Sequence, residues 1–179
     1  MKNIKKILLV FVLLVVALLI IPFFTPKDYS VKKEININKP VNEVFQFVSH
    51  LKNMDKYSSW AEMDPNMKQE FEGTDGAVGF LSRWESDNKD IGIGEQEITK
   101  ITPNKRMDFD LRFFEPFEAN DKGYFETTSL SASETKVTWG FSGHMDYPMN
   151  FMMLFMDFEE MIGNDFEKSL HKLKNYMEK

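Results

Sequence analysis

The stretch that decides the fold is 148-PMNFMMLFMDFEEMIGNDFEKSLHKLKNYM-177, which is typical of one long helix or of two stacked helices. Apolar residues recur along it at helical spacing and share one face: Met152, Phe155, Ile162, Phe166, Leu170, Leu173 and Met177. If the helix continues through Gly163, Glu159 lies in the middle of that face, where a carboxylate is costly unless it is paired or faces a cavity. A break at Gly163–Asn164 would leave Glu159 in water, and the sequence favours this break.

The first part of this stretch and the residues just before it are rich in methionine. The methionines are Met145, Met149, Met152, Met153, Met156 and Met161. A flexible thioether side chain fills irregular gaps in a core, but it also forms adaptable binding surfaces. Three interpretations therefore stay open: core packing, a portal for a hydrophobic ligand, and a surface that dips into a nearby bilayer.

The chain begins with a long apolar run. Ile7–Phe24 is free of charge over 18 residues and follows three lysines, Lys2, Lys5 and Lys6. A helix of this length spans about 27 Å, close to the hydrocarbon core of about 30 Å. We predict an uncleaved signal-anchor over residues 1–26, because no pair of small residues follows the run to serve as the cleavage site of a signal peptide. The lysines favour a cytoplasmic N-terminus and an extracytoplasmic domain.

Composition limits what the rest of the chain can be. After a linker at residues 27–30, residues 31–179 have the size of one domain. Without the three N-terminal lysines, 19 of the 22 basic residues remain against 28 acidic ones, a net charge of −9. Such a domain is repelled by phosphate backbones, so nucleic acid is excluded as a partner.

Residue types also argue against metals and cofactors. The chain has no cysteine, which excludes disulfides and thiolate ligands, and its three histidines are far apart in sequence. None of them follows a metal-ligand spacing, so the sequence predicts neither a metal site nor a cofactor. It contains no signal for the oligomeric state.

The predicted order of elements is strand, helix, six strands, long helix. Val31–Ile37 alternates as a strand does, and Asn38-Lys39-Pro40 starts an amphipathic helix. After a loop, six strands are predicted over 68–72, 79–85, 94–101, 106–113, 123–129 and 136–142. The sequence therefore predicts an α+β fold, a curved antiparallel sheet wrapped around the C-terminal helix.

The inward face of this sheet is strongly aromatic. Alternation along the strands predicts that seven rings face the helix: Phe80, Trp84, Phe109, Phe113, Phe125, Trp139 and Phe141. They either pack solidly against the helix or leave a pocket. Together with Trp60, Met152 and Phe155 they are the candidate ligand-binding residues.

Several short motifs occur in an order found in a known family. They are I-x-x-P-V-x-x-V-F from Ile37, W-x-x-x-D-P-x-M from Trp60, E-G at Glu72, G-x-G-E from Gly92, T-x-V-T-W from Thr135 and D-F-E-x-x-L-x-x-L-K from Asp165. From Val31 to Met177 the chain resembles the polyketide cyclase/dehydrase and lipid-transport branch of the START-like, or SRPBCC, superfamily. The resemblance implies a helix-grip fold with a deep, mostly apolar cavity between sheet and C-terminal helix, but it does not imply one chemistry.

Three functions are compatible with these observations. The main hypothesis is membrane-anchored binding or transport of a hydrophobic small molecule or lipid, without catalysis. The first alternative is an enzyme of the cyclase or hydro-lyase type in which Glu159 is a base inside the cavity. The second is a structural or interaction domain with a filled core.

Overall fold

The computed structural model describes residues 2–179 as an N-terminal helix followed by an α+β domain. The helices are α1 (Lys2–Phe24), α2 (Val41–Val48), α3 (Ser59–Met63) and α4 (Phe158–Met177), with 3₁₀ helices at Leu51–Lys56 and Met149–Leu154. The strands are β1 (Asp28–Ile37), β2 (Lys68–Glu72), β3 (Leu81–Glu85), β4 (Ile93–Thr102), β5 (Arg106–Glu115), β6 (Ala119–Ser131) and β7 (Glu134–His144). The predicted α+β, helix-grip class is confirmed.

All seven strands form one antiparallel sheet in the order β1-β7-β6-β5-β4-β3-β2. β1 closes one edge by pairing with the last strand, so that Val31 lies opposite Phe141. The strand begins at Asp28, and residues 28–30 of the predicted linker pair with residues 142–144 of β7. Asp28-Tyr29-Ser30 has a single apolar side chain between two polar ones, a run too short to show the alternation of a strand.

The core lies between the concave face of the sheet and α4. Phe166, Leu170 and Leu173 on α4 are buried, and the Phe166 ring stacks on Trp139 at 4.4 Å between centroids. A helix of this kind contributes stability by burying one apolar stripe while its opposite side stays in water. The C-terminal half of the predicted stripe therefore packs as expected.

The start of α4 differs from the prediction. Asp157 is the N-cap and its carboxylate accepts a hydrogen bond from the Glu160 N–H at 2.9 Å, so the helix begins at Phe158. It then continues through Gly163, and the predicted break at Gly163–Asn164 is wrong. Gly163 is buried against β1, where an added Cβ would lie 2.8 Å from Lys33 Cε. This glycine permits close approach of helix and sheet instead of ending the helix.

The first part of the predicted stripe belongs to a separate element. Met152 lies in the 3₁₀ helix Met149–Leu154, and Phe155 follows it, before α4 begins. Apolar residues three or four apart fit one turn of 3₁₀ helix as well as one turn of α-helix, so the pattern does not separate the two. The interpretation as two helical elements is the one that the structure shows.

The N-terminal helix is largely uncovered by the domain. Residues Asn3–Phe24 are long and apolar enough to cross a membrane, as a membrane anchor or a signal sequence would be. Pro22 lies in the last turn, just before the chain enters β1.

Candidate functional site

A cavity of about 290 Å³ lies between the concave face of the sheet and α4. Because this cavity is present, the interior is not solid and a filled core does not describe this domain. The walls of the cavity are mostly apolar. The aromatic lining is Trp60, Trp84, Phe109, Phe113, Trp139, Phe141 and Phe166. The aliphatic lining is Leu51, Met54, Ala61, Met67, Ile91, Leu111 and Ile162.

One wall of the cavity is built on β3, β4 and β5. Trp84 lies over Gly94 of the neighbouring strand, and a Cβ there would collide with the indole ring. The indole also meets the Phe113 ring edge-on at 5.8 Å, and its N–H points to the Ile91 carbonyl at 3.4 Å. The glycine of the G-x-G-E motif thus makes room for a tryptophan in the cavity wall.

The opposite wall is built from α3, β7 and α4. Trp60 meets both Trp139 and Phe166 edge-on at 6.0 Å. The turn before Trp60 is fixed to α4 by the buried pair Ser59 and Ser169, whose hydroxyls are 2.7 Å apart. Neither serine was singled out in the sequence, because a contact between residues 110 positions apart leaves no local pattern.

A few polar side chains enter this apolar lining: Asp55, Ser58, Gln69, Ser82, Asp90 and Gln96. Ser82 and Gln96 are buried and lie opposite each other on β3 and β4. Within the described residues, 2–179, the Gln96 amide nitrogen has one hydrogen-bond acceptor, the weak acceptor Met54 Sδ, at 3.4 Å. Ser82 and Gln96 can therefore hydrogen-bond a polar group of a bound molecule. Neither is among the residues predicted from the sequence, although alternation places Ser82 on the face of Phe80 and Trp84, and Gln96 on the face of Gly94 and Ile98.

The comparison with known protein families agrees with this architecture. Residues 28–178 match the family described as polyketide cyclase / dehydrase and lipid transport. The chain belongs to this family. The resemblance stated from the motifs is thereby confirmed, and residues 28–178 are called the family domain below.

Solved structures show the same fold at low sequence identity. The Aha1 dimer from Colwellia psychrerythraea is 16% identical, with 84% of this chain and 96% of that chain covered and a TM-score of 0.58. A protein from Chromobacterium violaceum is 13% identical (84% and 97% covered, TM-score 0.59), and one from Thermobifida fusca is 12% identical (83% and 92%, TM-score 0.60). No curated protein matches the chain.

The ten candidate ligand-binding residues fall into three places in the molecule. Six line the cavity of the family domain: Trp60, Trp84, Phe109, Phe113, Trp139 and Phe141. Phe80 and Phe125 are fully buried and do not line it; Phe125 packs between Phe109 and Trp139 instead. Met152 and Phe155 lie in the segment before α4, outside the cavity lining, and Phe155 is exposed.

Glu159 does not face the cavity. It lies in the first turn of α4, is exposed, and is absent from the cavity lining. The hypothesis of a base at this position inside the cavity is therefore wrong, because α4 starts only one residue earlier and turns Glu159 to water. A carboxylate in the first turn also interacts favourably with the positive end of the helix dipole.

A buried carboxylate elsewhere was missed by the sequence reasoning. Asp121 on β6 is buried on the concave face, opposite the cavity residue Leu111. Burial raises the pKa of Asp121, although hydrogen bonds from the Tyr29 hydroxyl, 3.2 Å from Oδ2, and from the His144 N–H partly offset this. Burial, followed by the charge of Asp121, also raises the pKa of Tyr29.

The described residues, 2–179, contain no group of three His, Cys, Asp or Glu side chains placed to hold a metal ion. The polar groups in the cavity are suited to hydrogen bonding with an organic ligand.

Proposed function

We propose that the protein binds or transports a hydrophobic small molecule or lipid in the cavity of the family domain, without catalysis, while α1 holds it at a membrane. The observation that carries this proposal is the apolar, aromatic-lined cavity of about 290 Å³ between sheet and α4. Ligand sites are concave and mostly apolar, with a few convergent polar groups, and this cavity has that character. The lipid-transport description of the family supports the same function.

The cavity volume restricts the ligand. At about 290 Å³ it lies just below the range of about 300–1,000 Å³ that is usual for sites of small molecules. It suits one acyl chain or a compact ring system better than a complete two-chain lipid. The buried amide of Gln96 and hydroxyl of Ser82 would hold a single polar group of such a molecule, while the aromatic walls bury its apolar part.

The membrane location that we propose is a single-pass anchor with a cytoplasmic N-terminus and the family domain on the other side. The length and composition of α1 support the anchor, and the lysines before its apolar run support the orientation. The chain has no cysteine, so an Ala132→Cys variant carries a single thiol in the exposed β6–β7 turn. Labelling of intact cells with a membrane-impermeant maleimide supports the orientation. Labelling only after lysis contradicts it, and release of a shortened soluble form contradicts the anchor.

Ligand binding is tested with the full chain extracted from its own membranes. Native mass spectrometry should show a co-purifying hydrophobic species, and the fluorescent apolar probe N-phenyl-1-naphthylamine should bind. Ala61 lines the cavity, so Ala61→Phe fills it and should weaken probe binding about tenfold, which corresponds to about 1.4 kcal/mol. Ala132→Phe makes the same change in an exposed turn and should leave binding unchanged. Equal binding by wild type and both variants would show that the cavity is not the binding site.

A further inference from the structure

The segment between β7 and α4 is attached to the end of α1. Asn150 is fully buried, and its Nδ2 donates hydrogen bonds to the carbonyls of Pro22 at 2.7 Å and Thr25 at 3.0 Å. Tyr147 donates from its hydroxyl to the Leu19 carbonyl at 3.1 Å. The three acceptors lie in the last turns of α1 and just after it, where the regular hydrogen bonding of the helix ends. The segment therefore has a fixed position beside the end of α1.

The same segment presents apolar side chains to the outside. Tyr147–Met156 carries no charge over ten residues, although it is flanked by Asp146 and Asp157. We define the interfacial surface as Phe23, Phe24, Tyr147, Met149, Leu154 and Phe155, which are between 37% and 85% exposed. The Phe23 and Tyr147 rings are in contact, with centroids 4.7 Å apart, so the surface runs from α1 into the segment. Clustered apolar side chains of this kind mark an interaction site.

We propose that the interfacial surface is seated in the headgroup and upper acyl region of the bilayer that α1 crosses. This inference rests on the proposed membrane anchor. Tyr147 and Asn150 bind carbonyls in the last turns of α1, so the segment lies within about two helical turns, roughly 11 Å, of the point where α1 leaves the membrane. At that depth a tyrosine and apolar side chains are favoured, because one end of the tyrosine is apolar and its hydroxyl is polar.

The charge around the interfacial surface indicates how it binds. The charged residues nearest to its Tyr147–Met156 part are acidic, Asp146, Asp157, Glu159 and Glu160, and they outnumber Lys27, which follows Phe24 by three residues. Attraction to anionic headgroups therefore does not drive the contact, and insertion of apolar side chains does. Vesicles of phosphatidylcholine, which has no net charge, should consequently be sufficient for the interfacial surface to insert.

Seating in the bilayer would place the membrane close to the cavity. Phe158 begins α4 directly after the segment and stacks on Tyr29 at 4.4 Å, and Ile162, one turn further along, lines the cavity. A hydrophobic ligand could then pass between the bilayer and the cavity along apolar side chains. A shorter path through water lowers the cost of transferring such a ligand.

The test uses the full chain, which has no native cysteine, in phosphatidylcholine vesicles. Single variants Phe155→Cys and Met149→Cys probe the interfacial surface, and Leu14→Cys probes the middle of α1. Leu130→Cys is the matched control, since Leu130 is also an exposed apolar residue but lies near the β6–β7 turn, at the opposite end of the sheet from the start of β1. Each thiol carries the environment-sensitive fluorophore NBD, and brominated acyl chains serve as the quencher.

We expect bromine quenching at positions 14, 149 and 155, and none at position 130. Quenching at 14 without quenching at 149 and 155 would overturn the inference while the anchor stands. Equal quenching at 130 would overturn it as unspecific adsorption. An absence of quenching at 14 would refute the membrane anchor itself, and the inference with it. Shielding of position 155 in native membranes but not in pure lipid would assign the surface to a protein partner and overturn the inference.

Discussion

The two halves of the C-terminal stretch are both rich in apolar residues, but α4 buries its apolar side chains and Tyr147–Met156 exposes several of its own. In α4, the apolar side chains Phe166, Leu170 and Leu173 face the sheet, and charged residues occupy the other side of the helix. In Tyr147–Met156 there is no charged side at all, and Leu154 and Phe155 point outward. A segment with one polar side belongs to a domain in water, whereas an uncharged segment attached to a helix that is long and apolar enough to cross a membrane is suited to a bilayer surface. The distribution of charge, and not the apolar content, separates the two halves.

The largest effect should come from the same substitution made in each half. Phe166→Ala removes a buried ring that stacks on Trp139 and lines the cavity, so we expect a loss of about 3–5 kcal/mol in the free energy of unfolding. Phe155→Ala removes a ring that is 76% exposed and should change this free energy by no more than about 0.5 kcal/mol. Denaturant unfolding of the full chain in detergent, followed by tryptophan fluorescence, measures both. Similar losses in the two variants would contradict the contrast between the halves.

The sequence predicted well how α4, the buried half, packs against the sheet. The stripe through Phe166, Leu170 and Leu173 extends over two full turns, enough for a 3.6-residue period to be unambiguous. The start of the helix was missed, although Asp157 followed three residues later by Glu160 is the pattern of a capping box. The sequence favours a helix end at Gly163, because a glycine that permits close packing and one that ends a helix are the same in sequence.

The cavity was less predictable than the fold. Alternation correctly indicated that Phe109 and Phe125 both face α4, but it does not give the position of a side chain along the curved sheet. Phe109 therefore lines the cavity and Phe125 packs in the core. The attachment of α1 through Asn150 is a contact between residues 128 positions apart, and it has no local signature.

A smaller effect should follow from breaking the attachment of the exposed half to α1. Asn150→Ala removes both hydrogen bonds, and the Pro22 carbonyl keeps only its bond from the Thr25 N–H while the carbonyl of buried Thr25 loses its side-chain donor, which costs about 1–3 kcal/mol. The expected result is local loosening of the junction, measured as faster trypsin cleavage after Lys27 in the full chain in detergent. Asn53→Ala is the control, since Asn53 also donates to a backbone carbonyl, that of Phe47, at 2.9 Å. Equal rates of cleavage at Lys27 in wild type and Asn150→Ala would show that Asn150 does not hold the junction.

The smallest predicted effect concerns the boundary between the halves, where Phe158 stacks on Tyr29 and Tyr29 bonds to Asp121. Burial raises the pKa of Asp121 in the folded chain above its unfolded value of about 3.9, so the unfolded chain loses this proton first as the pH rises. The contribution of Asp121 to stability is therefore fully present below about pH 4 and is lost as the pH rises through the folded pKa. Asp121→Asn keeps an acceptor for the Tyr29 hydroxyl and removes this loss.

Relative to wild type, the unfolding free energy of Asp121→Asn should therefore increase as the pH is raised from about 4 towards 8. The measurement is denaturant unfolding of both proteins across this range, and their difference removes the titration of the other carboxylates. Asp110→Asn, on the adjacent strand and the convex face, controls for the loss of a negative charge. A difference that is independent of pH would mean that the pKa of Asp121 is the same in the folded and the unfolded chain. The hydrogen bonds from the Tyr29 hydroxyl and the His144 N–H would then offset the effect of burial completely.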